Sequence, residues 1–309
     1  MISHGPLAWS AFFLCIFILL FLDLKVLHRN IHEISYKEAL LTSLGYVVIS
    51  FLFNIGIFYT LGHQQGFEFF TGYFIEKSLS LDNIFIFSVI FTQFRIPLIY
   101  QHRVLYWGVL GAIVMRGVLI FLGAKLITQF HFMMALFSLF LIFTGFKMLF
   151  LKEKDKEFKN HWLVLFLEKY LPFTRNIENE KFIVKRSGKF YMTPLLMVLI
   201  LVELTDVIFA LDSIPAIFAV TTDPFIVYTT NIFAILGLRS LYFALAKMVK
   251  NFHYLKYGLA LVMLLVGFKM LVNWYFDKDF IPIELTLILT IFLIMGSALL
   301  SYLKPLKRS

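Results

Sequence analysis

Runs of about twenty apolar residues recur along the whole chain, and they limit its fold more than any other feature. A helix of that length crosses the hydrocarbon core of a bilayer, which is roughly 30 Å thick. Hydrophobic residues make up 60% of the 309 residues, well beyond the share in a soluble globular domain. We therefore predict an all-α polytopic membrane protein with nine transmembrane helices, at approximately 7–27, 40–61, 68–94, 104–127, 131–151, 193–219, 226–248, 255–275 and 281–303.

Basic residues cluster on one side of this predicted topology. Ten of them lie in the connection 152–192, and the connections after the first, third, seventh and ninth spans are also basic. The opposite connections are short and contain one basic residue, Lys278. The positive-inside rule then predicts a multi-pass protein of the cytoplasmic (inner) membrane, with its N-terminus outside and its C-terminus in the cytoplasm. The net charge of +9 reports this topology and contact with the lipid bilayer, so we expect no nucleic-acid partner.

Two parts of the chain resemble each other. The segment LSLDNIF aligns with FALDSIP, which places Glu76 over Asp206 and Asp82 over Asp212. Further along, TGFKMLF aligns with VGFKMLV, in the same order. Each unit contains three predicted spans, and because three is odd, the two units must cross the membrane in opposite directions. Inverted repeats of this kind are common in secondary transporters, whose substrate site lies near the bilayer midplane between the repeats.

The repeats suggest how a single transmembrane domain, 1–309, is organised. Two leading helices come first, and a basic cytoplasmic loop separates the two repeats. The predicted order is two leading helices in 1–61, repeat 1 in 68–151, the loop in 152–192, repeat 2 in 193–275 and a last helix in 281–303.

Five carboxylates lie well inside the predicted spans, away from their ends, where an ionised carboxylate costs at least a few kcal/mol. Such groups persist where they face a protein interior, a partner charge or a bound cation. An amide and a hydroxyl add neutral oxygens, which gives the predicted metal-site set Glu76, Asp82, Asn83, Glu203, Asp206, Asp212 and Ser213. Oxygen ligands suit hard divalent cations such as Mg²⁺, Ca²⁺ and Mn²⁺, and disfavour Zn²⁺ or Cu⁺. The alternative for each carboxylate is a structural ion pair within the membrane.

Two arginines occupy corresponding positions near the middle of spans in the two repeats. These are Arg116 and Arg239, and we predict that they offset two of the negative charges until substrate displaces them. Proline at 215 removes one backbone hydrogen bond, so we also predict a broken helix from Asp212 to Pro215 whose backbone joins the carboxylates in the site.

Three further predictions concern segments at or outside the membrane interface. The apolar stretch 161–171 of the loop is expected to lie in the interface. The stretch 181–193 alternates in polarity around a Ser-Gly pair, which predicts a small hairpin. Lys147 and Lys269 lie near span ends, and we expect their side chains to extend to the lipid headgroups.

Cysteine and histidine contribute little to the predicted chemistry. The single cysteine, Cys15, lies in the first span, so the chain can form no internal disulfide and no thiolate cluster. No histidine lies at the depth of the carboxylates, and no cofactor motif is recognisable. We therefore expect no cofactor and no enzymatic activity.

Two motifs resemble a known family. The segments EKSLSLDNIF and ELTDVIFALDSIPAIFAVTTDPFIVYTTNIFAILGLRSLYF are similar to the TerC family of integral membrane proteins, and especially to its Alx-like members. The resemblance covers almost the whole chain. It implies a place in the LysE-type transporter superfamily and a link to Mn²⁺ export, although some members are labelled redox modulators. It also implies that the five intramembrane carboxylates are the functional acids.

Three functions are compatible with these features. The favoured one is a secondary transporter that exports Mn²⁺ from the cytoplasm in exchange for protons, because carboxylates must lose protons to bind a divalent ion. The alternatives are a membrane-bound redox modulator and an accessory protein that supplies metal to secreted proteins. Mn²⁺ is here a transported substrate, and the expected partners are a divalent cation, protons and the bilayer.

Overall fold

The structure is a computed structural model that describes residues 5–22, 35–150, 162–174, 176–178, 180–186, 188–245, 254–278 and 280–303. These residues are almost entirely helical. In chain order the elements are α1 (Pro6–Leu22), α2 (Tyr36–Thr60), α3 (His63–Gln93), α4 (Leu98–Gln129), α5 (Phe132–Phe150), α6 (Trp162–Tyr170), β1 (Ile183–Arg186), β2 (Lys189–Met192), α7 (Pro194–Phe218), α8 (Pro224–Leu236), α9 (Leu238–Leu245), α10 (Leu255–Phe276) and α11 (Ile283–Leu303).

Seven helical segments in the described part of the chain are long and apolar enough to cross a membrane. They are α2, α4, α5, α7, the pair α8 and α9, α10 and α11. Helix α1 is shorter, with 17 residues, and α3 has 31 residues but carries several charged side chains. The prediction of an all-α polytopic membrane protein is confirmed. The count of nine spans stays a prediction, and the predicted span ends at 23–27, 151 and 246–248 lie outside the described residues, as does the basic stretch 152–161.

The predicted break at Pro215 is wrong, and a different helix is interrupted instead. Helix α7 continues through Pro215 to Phe218, because the proline removes only one donor and lies in a buried, closely packed stretch. The interruption falls at Gly237, between α8 and α9. There the Lys77 ammonium donates a hydrogen bond of 3.2 Å to the carbonyl of Ala234, near the end of α8. A cation is well placed at a helix C-terminus, where carbonyl groups lack intrahelical partners.

The two predicted repeats pack in a matching way. Helix α4 packs against α7, and α3 packs against α8, while α5 and α10 pack against each other. If α3, α4 and α5 are exchanged for α7, α8 and α10, these three contacts are reproduced. Glu68, at the start of α3, lies near Thr221, just after α7, whereas Asn83, further along α3, donates to Asp206 in the middle of α7, so these two helices run in opposite directions. The inverted repeat stays a prediction, which these contacts support.

The repeated GFKML sequence lies where α5 and α10 approach most closely. A Cβ at Gly145 would lie 3.0 Å from the backbone oxygen of Ala260, and a Cβ at Gly267 would lie 3.0 Å from the Ile142 side chain. Both repeats therefore keep a glycine at this position because a larger residue would separate the helices. The lysines of the two motifs differ. Lys147 is exposed, and its extension to the headgroups stays a prediction. The prediction for Lys269 is wrong, since it is buried and donates a 3.1 Å hydrogen bond to Thr286 on α11.

The connection after α5 forms the predicted hairpin. Strands β1 and β2 are antiparallel, with Arg186 opposite Lys189, and Gly188 in the turn has a φ of 80°. The apolar stretch before it forms α6, which buries Val164 and leaves Phe166 half exposed. The interfacial location of α6 stays a prediction.

Candidate cation site

One arginine joins four helices at the centre of the structure. Arg116 on α4 donates hydrogen bonds to Glu76 on α3, to both oxygens of Asp206 on α7 at 3.1 and 3.0 Å, and to Asn231 on α8 at 2.8 Å. The exposed fractions of these four residues are at most 4%, with Arg116 and Glu76 at 1% and Asn231 at 0%. We call Glu76, Arg116, Asp206 and Asn231 the central cluster. Two of its members come from each predicted repeat.

Small residues bring the helices of the central cluster together. A Cβ at Gly72, one turn before Glu76, would lie 2.9 Å from the Thr230 side chain on α8. The absence of a side chain at this position allows α3 and α8 to approach, so that Glu76 and Asn231 reach the same guanidinium. Arg116 meets Asp206 through two parallel hydrogen bonds, a geometry that is both strong and directional.

The central cluster is nearly, but not fully, balanced in charge. Two carboxylates face one guanidinium, so acidic groups outnumber basic groups by one. A buried ion pair is costly to disrupt, because the remaining partner becomes an uncompensated charge in a medium of low dielectric. The cluster can therefore hold a cation only if the bound ion compensates the carboxylate charges at least as well as the contacts with Arg116 that it weakens.

Three buried oxygens, one in the central cluster and two on the same helices α3 and α7, lack a hydrogen-bond donor among the described residues. They are Glu76 Oε2, Asn83 Oδ1 and Ser213 Oγ. Asn83 and Ser213 are each only 2% exposed, and the amide nitrogen of Asn83 donates to Asp206 Oδ1 at 3.4 Å. An unpaired buried acceptor costs about 1–3 kcal/mol. Oxygens that persist at this cost are candidate ligands.

The other predicted carboxylates lie around the central cluster. Asp82 and Asp212 are half-buried. Each directly precedes a residue with an unpartnered oxygen, Asn83 or Ser213, and is therefore rotated by about 100° from that residue around the helix axis. Glu203 packs on α4, where a Cβ at Gly111 would clash with its carboxylate. Among the described residues, no three Asp, Glu, His or Cys side chains come close enough to hold one metal ion. A cation bound here would depend on neutral oxygens as well.

Arg239 does not take the same position as Arg116. It is buried on α9, and its Nη1 donates a hydrogen bond of 3.0 Å to His102 Nε2 at the start of α4. Asp206 and Arg239 line the same small cavity, of about 10 Å³. The predicted role of Arg239 as a second charge-compensating residue remains a prediction.

Two residues of this region were missed by the sequence reasoning. Asn231 supplies the amide that accepts from Arg116, and it could have been noticed as a lone amide inside an apolar stretch. Lys77 follows Glu76 directly in the chain, and its ammonium lies at the interruption between α8 and α9. The sequence does not indicate this position of Lys77, because the interruption between α8 and α9 contains no proline that would mark it. It becomes visible only from the packing of the helices.

A large cavity opens towards the predicted outer side. Its volume is about 1110 Å³, and it lies between the start of α3, the end of α4 and the connection from α7 to α8. Glu68 lines it and accepts a hydrogen bond of 3.1 Å from Gln64. Glu68 lies eight residues before Glu76 on α3, which corresponds to roughly 12 Å along the helix. The cavity therefore approaches the central cluster from one side.

Comparisons with known proteins give consistent results. A family model described as "Integral membrane protein TerC family" matches residues 61–308. A protein of Salmonella typhi named "Putative membrane-bound redox modulator Alx" is 46% identical over 306 residues, with 94% of each chain covered. The protein of the same name from Escherichia coli K12 is 46% identical, with 91% of this chain and 90% of the relative covered. An uncharacterized membrane protein of Rickettsia conorii is 44% identical, with 94% and 97% covered. No solved structure matches the chain.

Proposed function

This chain belongs to the TerC family of integral membrane proteins, and we propose that it is a secondary transporter that exports Mn²⁺ from the cytoplasm in exchange for protons. The central cluster carries this proposal. It is buried, it lies where the two predicted repeats meet, and it includes oxygens without a donor in the described part of the chain. Intramembrane ionisable residues that face a protein interior commonly mark an ion pathway.

The ligand chemistry supports a hard divalent cation. The central cluster consists of carboxylate and amide oxygens around one guanidinium, and the imidazole of His102 is bonded to Arg239. Oxygen ligands favour Mn²⁺, Mg²⁺ or Ca²⁺ over softer metals. We select Mn²⁺ within this group because of the resemblance to Alx-like proteins.

Exchange with protons follows from the carboxylates. A divalent cation binds to the deprotonated form, so binding and release of the metal change the protonation of the same groups. A transporter of this kind would carry Mn²⁺ out and bring protons in, with Arg116 compensating the carboxylates between the two steps.

The two cavities support a pathway through the central cluster. The outer cavity of about 1110 Å³ gives access from one side, and a small cavity of about 10 Å³, lined by Asp206 and Arg239, lies against the central cluster. Alternating access would open the second side when the first closes. We place the cavity of Glu68 on the outer face, the C-terminus in the cytoplasm and the protein in the cytoplasmic membrane.

A redox role is the second candidate, because two relatives carry the name "Putative membrane-bound redox modulator Alx". Thiol exchange within one chain needs two cysteines, and Cys15 is the only one. Absorbance spectra of the purified protein, before and after addition of dithionite, test for a bound redox group. A reducible chromophore at one per chain would favour the redox role.

Reconstituted protein tests the transport proposal across metals. Proteoliposomes are loaded with a metal-sensitive dye and exposed to Mn²⁺, Mg²⁺, Ca²⁺, Zn²⁺ or Co²⁺ in turn. The proposal expects Mn²⁺ uptake well above that of protein-free vesicles, and uptake of Zn²⁺ that is much weaker. Absence of flux for every metal would reject the proposed function.

A further inference from the structure

The internal repeat relates the two carboxylates of the central cluster to each other. It relates the residues of the two neutral unpartnered oxygens to each other in the same way. Glu76 aligns with Asp206 and Asn83 aligns with Ser213, each at an offset of 130 residues. Within each helix the two positions are seven residues apart, or about two turns, so they lie on one face. The two faces meet across the antiparallel contact between α3 and α7.

One of the two equivalent contacts is formed. Asn83, from the first repeat, donates its amide to the Asp206 carboxylate of the second repeat at 3.4 Å. The equivalent contact would join Ser213 of the second repeat to Glu76 of the first. Neither Ser213 Oγ nor Glu76 Oε2 has a hydrogen-bond partner within the ranges that the structure describes. The second of the two equivalent contacts is therefore not formed among the described residues.

The two carboxylates are therefore not equivalent. Both oxygens of Asp206 accept from Arg116, and one also accepts from Asn83. Glu76 accepts from Arg116 through Oε1 alone. The third unpartnered oxygen, Asn83 Oδ1, is neutral and stands beside a carboxylate that is already compensated. Charge and free acceptor capacity coincide at Glu76.

We infer that the transported cation binds between Glu76 Oε2 and Ser213 Oγ, while Asp206 remains bound to Arg116 and Asn83. This assignment rests on the proposed function and makes it more specific. Glu76 is the charged ligand, Ser213 is a neutral ligand that sets affinity, and Asp206 is a positioning residue that holds Arg116. Two protein ligands leave most coordination positions to water, which is compatible with a divalent ion that must also be released.

The most direct test gives Glu76 a hydrogen-bond donor equivalent to the one that Asn83 gives Asp206. The substitution Ser213→Asn introduces the residue that stands at the equivalent position 83, and its amide is expected to donate to Glu76 Oε2. Binding of Mn²⁺ to purified protein, followed by loss of the free-ion EPR signal, should weaken by at least about tenfold, since a charge-assisted hydrogen bond then competes for the ligand oxygen. Thermal stability should stay the same or rise.

Two further variants keep the test decisive if Ser213→Asn does not fold. Ser213→Ala removes the neutral ligand without adding a donor, and should weaken Mn²⁺ binding roughly several-fold. Glu76→Gln should abolish binding. A folded Ser213→Asn or Ser213→Ala protein with wild-type Mn²⁺ affinity would overturn this assignment and leave transport intact. Wild-type protein that neither binds nor transports Mn²⁺ would instead reject the proposed function.

Discussion

Arg116 has the largest predicted effect of any single residue. It pairs with two buried carboxylates, Glu76 and Asp206, and it contacts Asn231 on a fourth helix. The sequence indicated its charge-compensating role, because an arginine near the middle of an apolar span requires a partner. It did not indicate which acids bind it, since that choice depends on how α3, α4 and α7 pack.

Removing the Arg116 charge should destabilise the protein strongly. Arg116→Met introduces an apolar side chain of similar length and leaves two carboxylates uncompensated. The free energy of unfolding should fall by about 3–5 kcal/mol. Thermal unfolding in detergent measures the change. Arg103→Met is the matched control, because Arg103 pairs with Glu180 at 2.8 Å and its side chain is 38% exposed. That substitution should cost at most about 1 kcal/mol. Equal stabilities of the two variants would contradict the central role of Arg116.

At the scale of elements, long apolar helices were predictable and their interruptions were not. The hairpin around Gly188 follows from local turn chemistry, so the sequence was sufficient. Pro215 suggested a break in α7, but a proline near the end of a tightly packed helix costs only one hydrogen bond and the helix continues. The interruption at Gly237 depends on contacts with Lys77 and α2, which are distant in sequence. The burial of Lys269 also depends on an element outside its own repeat, because its hydrogen-bond partner Thr286 lies on α11.

The contact between α5 and α10 gives a prediction about helix packing. Gly145→Ala would place a methyl group 3.0 Å from the Ala260 carbonyl oxygen, so the helices must separate slightly. We expect a loss of about 1–3 kcal/mol in the free energy of unfolding, measured by denaturation in detergent. Gly56→Ala on α2 is the matched control, because no atom lies within 4 Å of its added Cβ. Alanine is the better helix former, and this control should be neutral or gain roughly 0.5–1 kcal/mol. Destabilisation of both variants to the same extent would refute a specific contact.

At the scale of the whole molecule, family membership and the helical architecture agree with what the sequence predicts, whereas orientation remains to be measured. The distribution of basic residues predicts a cytoplasmic C-terminus. A reporter fused after Ser309 that is active only in the cytoplasm should be active, and a reporter placed near the Lys278 connection should not. An extracytoplasmic C-terminus would remove the basis for placing the large cavity on the outer face.

Coupled flux in proteoliposomes tests the central claim most directly. Vesicles contain the reconstituted protein and a pH-sensitive dye, and an imposed Mn²⁺ gradient drives transport. Wild-type protein should move protons in the direction opposite to Mn²⁺, with a rate that changes between about pH 6 and 8.5, because the ion and the protons compete for carboxylates. Glu76→Gln should lose both fluxes. Mn²⁺ movement at the wild-type rate in Glu76→Gln, or Mn²⁺ movement without protons and independent of pH in the wild type, would contradict proton-coupled export through the central cluster.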